Sequence, residues 1–148
     1  MLKTTLKQLI IRDLEKLKEE ILAYQNDENL WYIEKDILNS AGNLCLHIMG
    51  NLNTYIGAEL GKTGYQRNRE AEFALKNIPG EELVVQLEQT IYMIRQTFDQ
   101  LTDEQLTEIY PGETPFKEVS TQHFFVHLAM HLAYHLGQIN YHRRLIDK

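Results

Sequence analysis

Apolar residues recur at steps of three and four through most of this 148-residue chain, and alternation of apolar with polar residues persists nowhere. That period is the turn of an α-helix, and it excludes a sheet as the organising layer. In the first segment Leu2, Leu6, Leu9, Ile10, Leu14, Leu17, Ile21 and Leu22 make one stripe, with Lys and Glu on the opposite side. The spacing predicts a helix from about Thr4 to about Gln25. It stops in Asn26-Asp27-Glu28-Asn29, whose side chains compete for backbone hydrogen bonds. Trp31 and Tyr32 then lie in a connection folded back on the helices.

A second helix starts at Ser40, a good N-cap, and runs through Leu60. Gly42, Gly50 and Gly57 within it each cost about 1 kcal/mol of helix propensity relative to Ala. Such a cost points to close approach by a neighbouring helix or a ligand. Gly61 and Gly64 end the helix, and residues 62–80 read as a long polar connection. Pro79 and Gly80 introduce a third helix carrying Leu83, Leu87, Ile91, Ile94, Phe98 and Leu101. Thr102 to Gln105 has the form of a cap and first turn of a short extra helix. The last helix runs from Ser120, its N-cap, to about Leu145. Four amphipathic helices of this length predict an all-α four-helix bundle formed by one domain over residues 1–148. The polar connection leaves room for a crossover between the second and third helices.

Composition narrows the function classes. A net charge of −6 argues against nucleic acid as the main partner, because phosphate binding needs clustered Lys and Arg. The nearest basic group, Arg143 and Arg144 with Lys148, complements the negative end of the last helix. No run approaches the roughly 20 apolar residues that cross a bilayer, and the N-terminal segment breaks its apolar residues with charges, unlike a signal peptide. The lone Cys45 has no partner for a disulfide, which favours a reducing cytoplasm. It sits about 200° around the helix from His47 and so points away from it, as a small buried apolar residue.

Histidine is where the chemistry concentrates. His123, His127, His131 and His135 follow one another at strict four-residue spacing, and His47 lies midway along the second helix. Each step of four rotates about 40° past a full circle, so neighbouring rings can share one ion but all four cannot converge. The pair His131 and His135 lies among Leu128, Leu132, Leu136 and Ile139, which mark the buried side. Imidazoles at i and i+4 reach a single metal ion, and a third from a facing helix, His47, completes a strong site. Two neutral rings on a buried face need partners, and a shared ion satisfies both. His123 and His142, near the helix ends, read as surface or hydrogen-bonded residues, and His127 as a packing or hydrogen-bonding residue beside the site, a candidate to support a ligand or substrate.

At HLAYHLGQI the chain resembles the DinB/YfiT-like superfamily of metal-binding four-helix bundles. The resemblance rests on His131, His135 and Gly137-Gln138-Ile139 in the last helix, and on His47 in HIMGNLNTYIG. It also rests on RNREAEF, Arg67 to Phe73, in the middle connection. It implies a three-histidine site for nickel, zinc or a similar ion, a frequent homodimer, and relatives that use low-molecular-weight thiols in transferase and isomerase reactions. The family often carries a second histidine where this chain has Tyr134.

Three neutral imidazoles leave a divalent ion its full charge and an open position for water or substrate, as in a catalytic site. The expected activity is that of a thiol-dependent transferase or a small-molecule hydrolase. The alternative is a non-catalytic, metal-stabilised dimeric bundle in a stress response. No acid occurs in HLAMHLAYHLGQI, so the zinc-protease mechanism is disfavoured. Asn51 and Gln138 are candidates to orient ligands or substrate, Tyr134 to give a proton, and Arg67 and Arg69 to hold an anionic substrate or the carboxylate of a thiol. For these five residues the ordinary alternatives are interhelical hydrogen bonding, core packing of Tyr134 and a solvated loop.

Overall fold

The computed structural model describes residues 1–148 and is wholly helical, without a sheet. Two isolated bridges, Glu34 with Ile37 and Ile109 with Ser120, are the only strand-like pairings. The helices are α1 (Leu2–Ala23), α2 (Ala41–Leu52), α3 (Arg69–Ala74), α4 (Gly80–Gln100), α5 (Asp103–Thr107) and α6 (Thr121–Ile146). No helix is long and apolar enough to cross a membrane.

Local chemistry sets the boundaries. Ser40 and Ser120 cap α2 and α6 by accepting from the backbone N–H of Asn43 and His123. Thr102 and Gln105 close a reciprocal capping box on α5. The expected stop at Asn26–Asn29 is a short 3₁₀ turn, Asp27–Trp31, capped by the Asn26 side chain. Trp31 does fold back. It is buried, donates its indole N–H to the Ile78 carbonyl at 3.2 Å, and lies where a Cβ on Gly42 would come within 2.7 Å. That contact explains one of the three helix glycines.

Two expectations needed correction. The second helix does not stay α-helical to Leu60: after Leu52 it widens into a π-helical turn, Asn53–Ala58, an irregularity that recurs at functional sites. The polar connection is not featureless, because it folds residues 69–74 into α3. Six residues do not hold a helix alone; α3 persists because buried Asn43 on α2 donates to the carbonyls of Glu72 at 2.9 Å and Leu75 at 2.8 Å.

The four longest helices share one core of 30 buried residues, in which Ile10, Leu14, Leu52, Leu87, Phe98 and Phe124 are fully enclosed. Helices α1 and α2 each pack on both α4 and α6. Side-chain pairs give the directions. Lys3 reaches the Leu101 carbonyl while Lys18 lies near Glu88, so α1 and α4 are antiparallel. Asn53 meets Thr90, and Gly61 lies against Thr97, so the α2 segment and α4 run parallel. Parallel neighbours cannot be joined by a tight turn, and the connection that carries α3 therefore travels back along α2. His47 pairs with His131 and Tyr55 with Phe124, which makes α2 and α6 antiparallel and sets their histidines face to face.

Candidate metal centre

The rings of His47, His131 and His135 converge between α2 and α6. Their ligand nitrogens all lie within 4.8 Å of one another. His131 Nε2 stands 3.3 Å from His47 Nε2 and 3.0 Å from His135 Nε2. The other members of the ladder stand apart, as the 40° drift requires. His127 stacks 6.3 Å from His131 and packs edge-on against Phe116, and His123 is exposed. His142, further along α6, is buried and satisfied by the Tyr24 hydroxyl at 2.7 Å and the Tyr32 carbonyl at 2.9 Å.

The hydrogen bonds at the far side of two rings decide where their protons sit. His47 Nδ1 faces Glu72 Oε1 at 3.1 Å, and His135 Nδ1 faces Gln138 Oε1 at 2.7 Å. Both partners accept, so each Nδ1 carries the proton and each Nε2 turns a lone pair toward the centre. His131 Nε2 can donate to only one of them. Burial first, then the neighbouring rings, pushes the His131 pKa down to about 4, and burial likewise lowers His47 and His135. Neutral rings that point lone pairs at a common point repel unless a cation lies between them, so the donor set suits a metal ion. The two buried side-chain polar atoms without a partner, His131 Nδ1 and Asn51 Oδ1, both belong to this region. Unsatisfied buried groups of this kind mark sites where something beyond packing is at stake.

Sequence reasoning missed Glu72. Its carboxylate is buried, accepts from His47, and is clasped by Arg67 through Nε at 2.9 Å and Nη2 at 3.0 Å. Gly50 makes the room, because a Cβ there would run into that carboxylate. A helix glycine opposite a loop of RNREAEF was the available signal. A carboxylate behind a histidine fixes ring orientation and raises its basicity, which is the usual support for a metal ligand.

Of the other candidates, Asn51, Arg67, Arg69 and His127 border a cavity of about 440 Å³ against His47 and His131. Gln138 lies on the opposite side, on a groove of about 770 Å³ that also touches His135. Tyr134 is not core-packed. It is 66% exposed on the outer wall of that groove, its ring 5.4 Å from His135. Cys45 is fully buried and free, and burial pushes its thiol up to about 12, so it is inert.

A solved structure similar to this chain is described as the conserved protein of locus from Enterococcus faecalis. It superposes with a TM-score of 0.75 over 97% of this chain and 95% of that one, at 18% identity. At that identity the likeness is of fold alone. No curated protein matches the chain. Residues 2–148 match a family described as protein of unknown function (DUF1572), and the chain belongs to that family.

Proposed function

We propose that the protein is a divalent-metal-binding four-helix bundle of the DinB/YfiT-like type. In this reading His47, His131 and His135 hold nickel or zinc, and the site serves a thiol-dependent transfer or a small-molecule hydrolysis. The observation that carries the reading is the meeting of three Nε2 atoms within 4.8 Å, with the far nitrogens of two rings tied to Glu72 and Gln138. Bound there, a divalent ion supplies Lewis acidity and a nucleophile at neutral pH, from water or from a thiol. Glu72 and Gln138 orient their rings, Arg67 holds Glu72, and the adjoining cavity gives a small substrate room beside His47 and His131. The free, buried Cys45 agrees with a reducing compartment such as the cytoplasm. The acidic balance argues for small-molecule partners over nucleic acid.

Metal analysis after reloading tests the site. The protein should retain about one equivalent of zinc or nickel and His131→Ala under about a tenth. Turnover across a panel of thiols and esters should follow metal content and disappear in His131→Ala. A wild-type chain that refuses both ions ends the reading.

A second reading is favoured by one surface. Val126, Met130, Tyr134, Tyr141 and Leu145 are all exposed and follow one another along the outer side of α6, with Leu38 beside them. A stripe of this kind suits a second copy of the chain, which gives a metal-stabilised dimer in a stress response without catalysis. That reading expects chelation to lower the melting temperature sharply, with no turnover by the loaded protein.

A further inference from the structure

The cavity beside His47 and His131 has a polar rim made of donors. Arg67 spends Nε and Nη2 on Glu72, and its Nη1 has no partner within the chain. Arg69 forms no ion pair, its guanidinium lying 5.6 Å over the Phe73 ring. Asn51 is only 8% exposed, yet neither atom of its amide is hydrogen-bonded: Oδ1 is sealed in the protein, and Nδ2 is left for the cavity that Asn51 lines. His127 joins them with a ring whose nitrogens have no partner. No carboxylate lines this space, although the chain as a whole carries a net charge of −6. Tyr55, Phe124 and Leu128 supply apolar wall on the remaining sides.

The sealed atom, Asn51 Oδ1, is an acceptor, whereas the donors on the cavity side, Asn51 Nδ2, Arg67 Nη1 and the Arg69 guanidinium, keep access to solvent and so to a ligand. Here several donors, two of them cationic, collect in one hollow of ligand size. An acceptor-only group with negative charge satisfies all of them, and a planar two-oxygen group fits the fork of an arginine best. We propose that this cavity binds the carboxylate of a small substrate with an apolar body, seated between Arg67, Arg69 and Asn51 beside the histidines. The proposal rests on the metal-site reading for its role in a reaction, but not for the binding itself.

The test is a titration of ¹⁵N-labelled, zinc-loaded protein with butyrate, its neutral isostere butyramide, and inorganic phosphate, followed by NMR. Butyrate should shift the resonances of Asn51, Arg67, Arg69 and His127 saturably, and butyramide should bind about tenfold more weakly or less. Arg69→Gln, at an exposed position, should weaken butyrate about tenfold and leave the zinc stoichiometry unchanged. Equal binding of butyrate and butyramide, or an unchanged affinity in Arg69→Gln, overturns the proposal. Phosphate that outcompetes butyrate overturns the choice of carboxylate over phosphate. Repeating the titration after chelation separates the two readings. A chain that holds no zinc but still binds butyrate through Arg69 keeps the carboxylate site and loses the metal site. A chain that holds zinc but ignores Arg69 does the reverse.

Discussion

Gly50 and Glu72 show how a single atom decides whether the histidine group is supported. The carboxylate sits where a Cβ at residue 50 would be, with Arg67 on one side and His47 on the other. Gly50→Ala should therefore cost about 1–3 kcal/mol by overpacking and also disturb His47. Glu72→Gln keeps the volume but removes the charge, and should weaken zinc binding about 10- to 100-fold in a chelator competition. If zinc affinity is unchanged in Glu72→Gln, the carboxylate serves packing alone. The rings carry a second prediction. His131 is lowered from 6.5 to about 4, and His47 and His135 are lowered too, so the unfolded chain takes up protons first as the solution is acidified. Their contribution to stability is complete above pH 6.5 and is lost as pH falls through about 4. Urea unfolding of the metal-free protein at pH 7 and pH 4.5 should show the lower stability at pH 4.5, with a smaller difference in His131→Ala.

At the scale of the element, caps and fasteners do what helix propensity alone does not. Removing the α6 cap in Ser120→Ala should cost about 1 kcal/mol, read as a lower urea midpoint with an unchanged slope. Asn43 holds α3 by its two terminal carbonyls, and α3 in turn presents Glu72. Asn43→Ala should thus destabilise the fold by about 1–3 kcal/mol and weaken zinc binding although it touches no histidine. An Asn43→Ala protein of full zinc affinity would mean that α3 stays seated without its fastener. The helices themselves were legible from spacing and caps: Ser40, Ser120, Pro79-Gly80 and Thr102-x-x-Gln105 each mark an observed boundary. The short α3 was not legible. Its stability comes from Asn43, 29 residues away from Glu72 in the chain, and a local pattern cannot register such a contact.

For the whole molecule, the exposed stripe of α6 is an apolar surface left uncovered by the rest of the chain. Tyr134→Glu with Tyr141→Glu should shift a dimeric protein toward monomer in light scattering and leave metal content intact, since both side chains point outward. A wild-type protein that is already monomeric at high concentration would remove the dimer. The same surface corrects the core placement of Tyr134. At about 100° per residue Tyr134 falls about 150° from the centre of the Leu128, Leu132, Leu136 and Ile139 side, on the outer line of Met130 and Tyr141, so its exposure follows from the helical angle.

The order of apolar residues and caps was enough to predict an all-helical chain, its long helices apart from the π-helical turn that follows α2, and the pair His131 and His135 within the ladder, because each rests on a period or a bond a few residues long. His47 was nominated from its place in an apolar helix able to face that pair, and the family resemblance pointed to the same residue. Only the tertiary structure decided that α2 and α4 run parallel, that Glu72 and Arg67 stand behind His47, and that unpaired donors gather in one cavity. Those relations join residues far apart in the chain, and they exist only once the packing of four helices has set the distances between them.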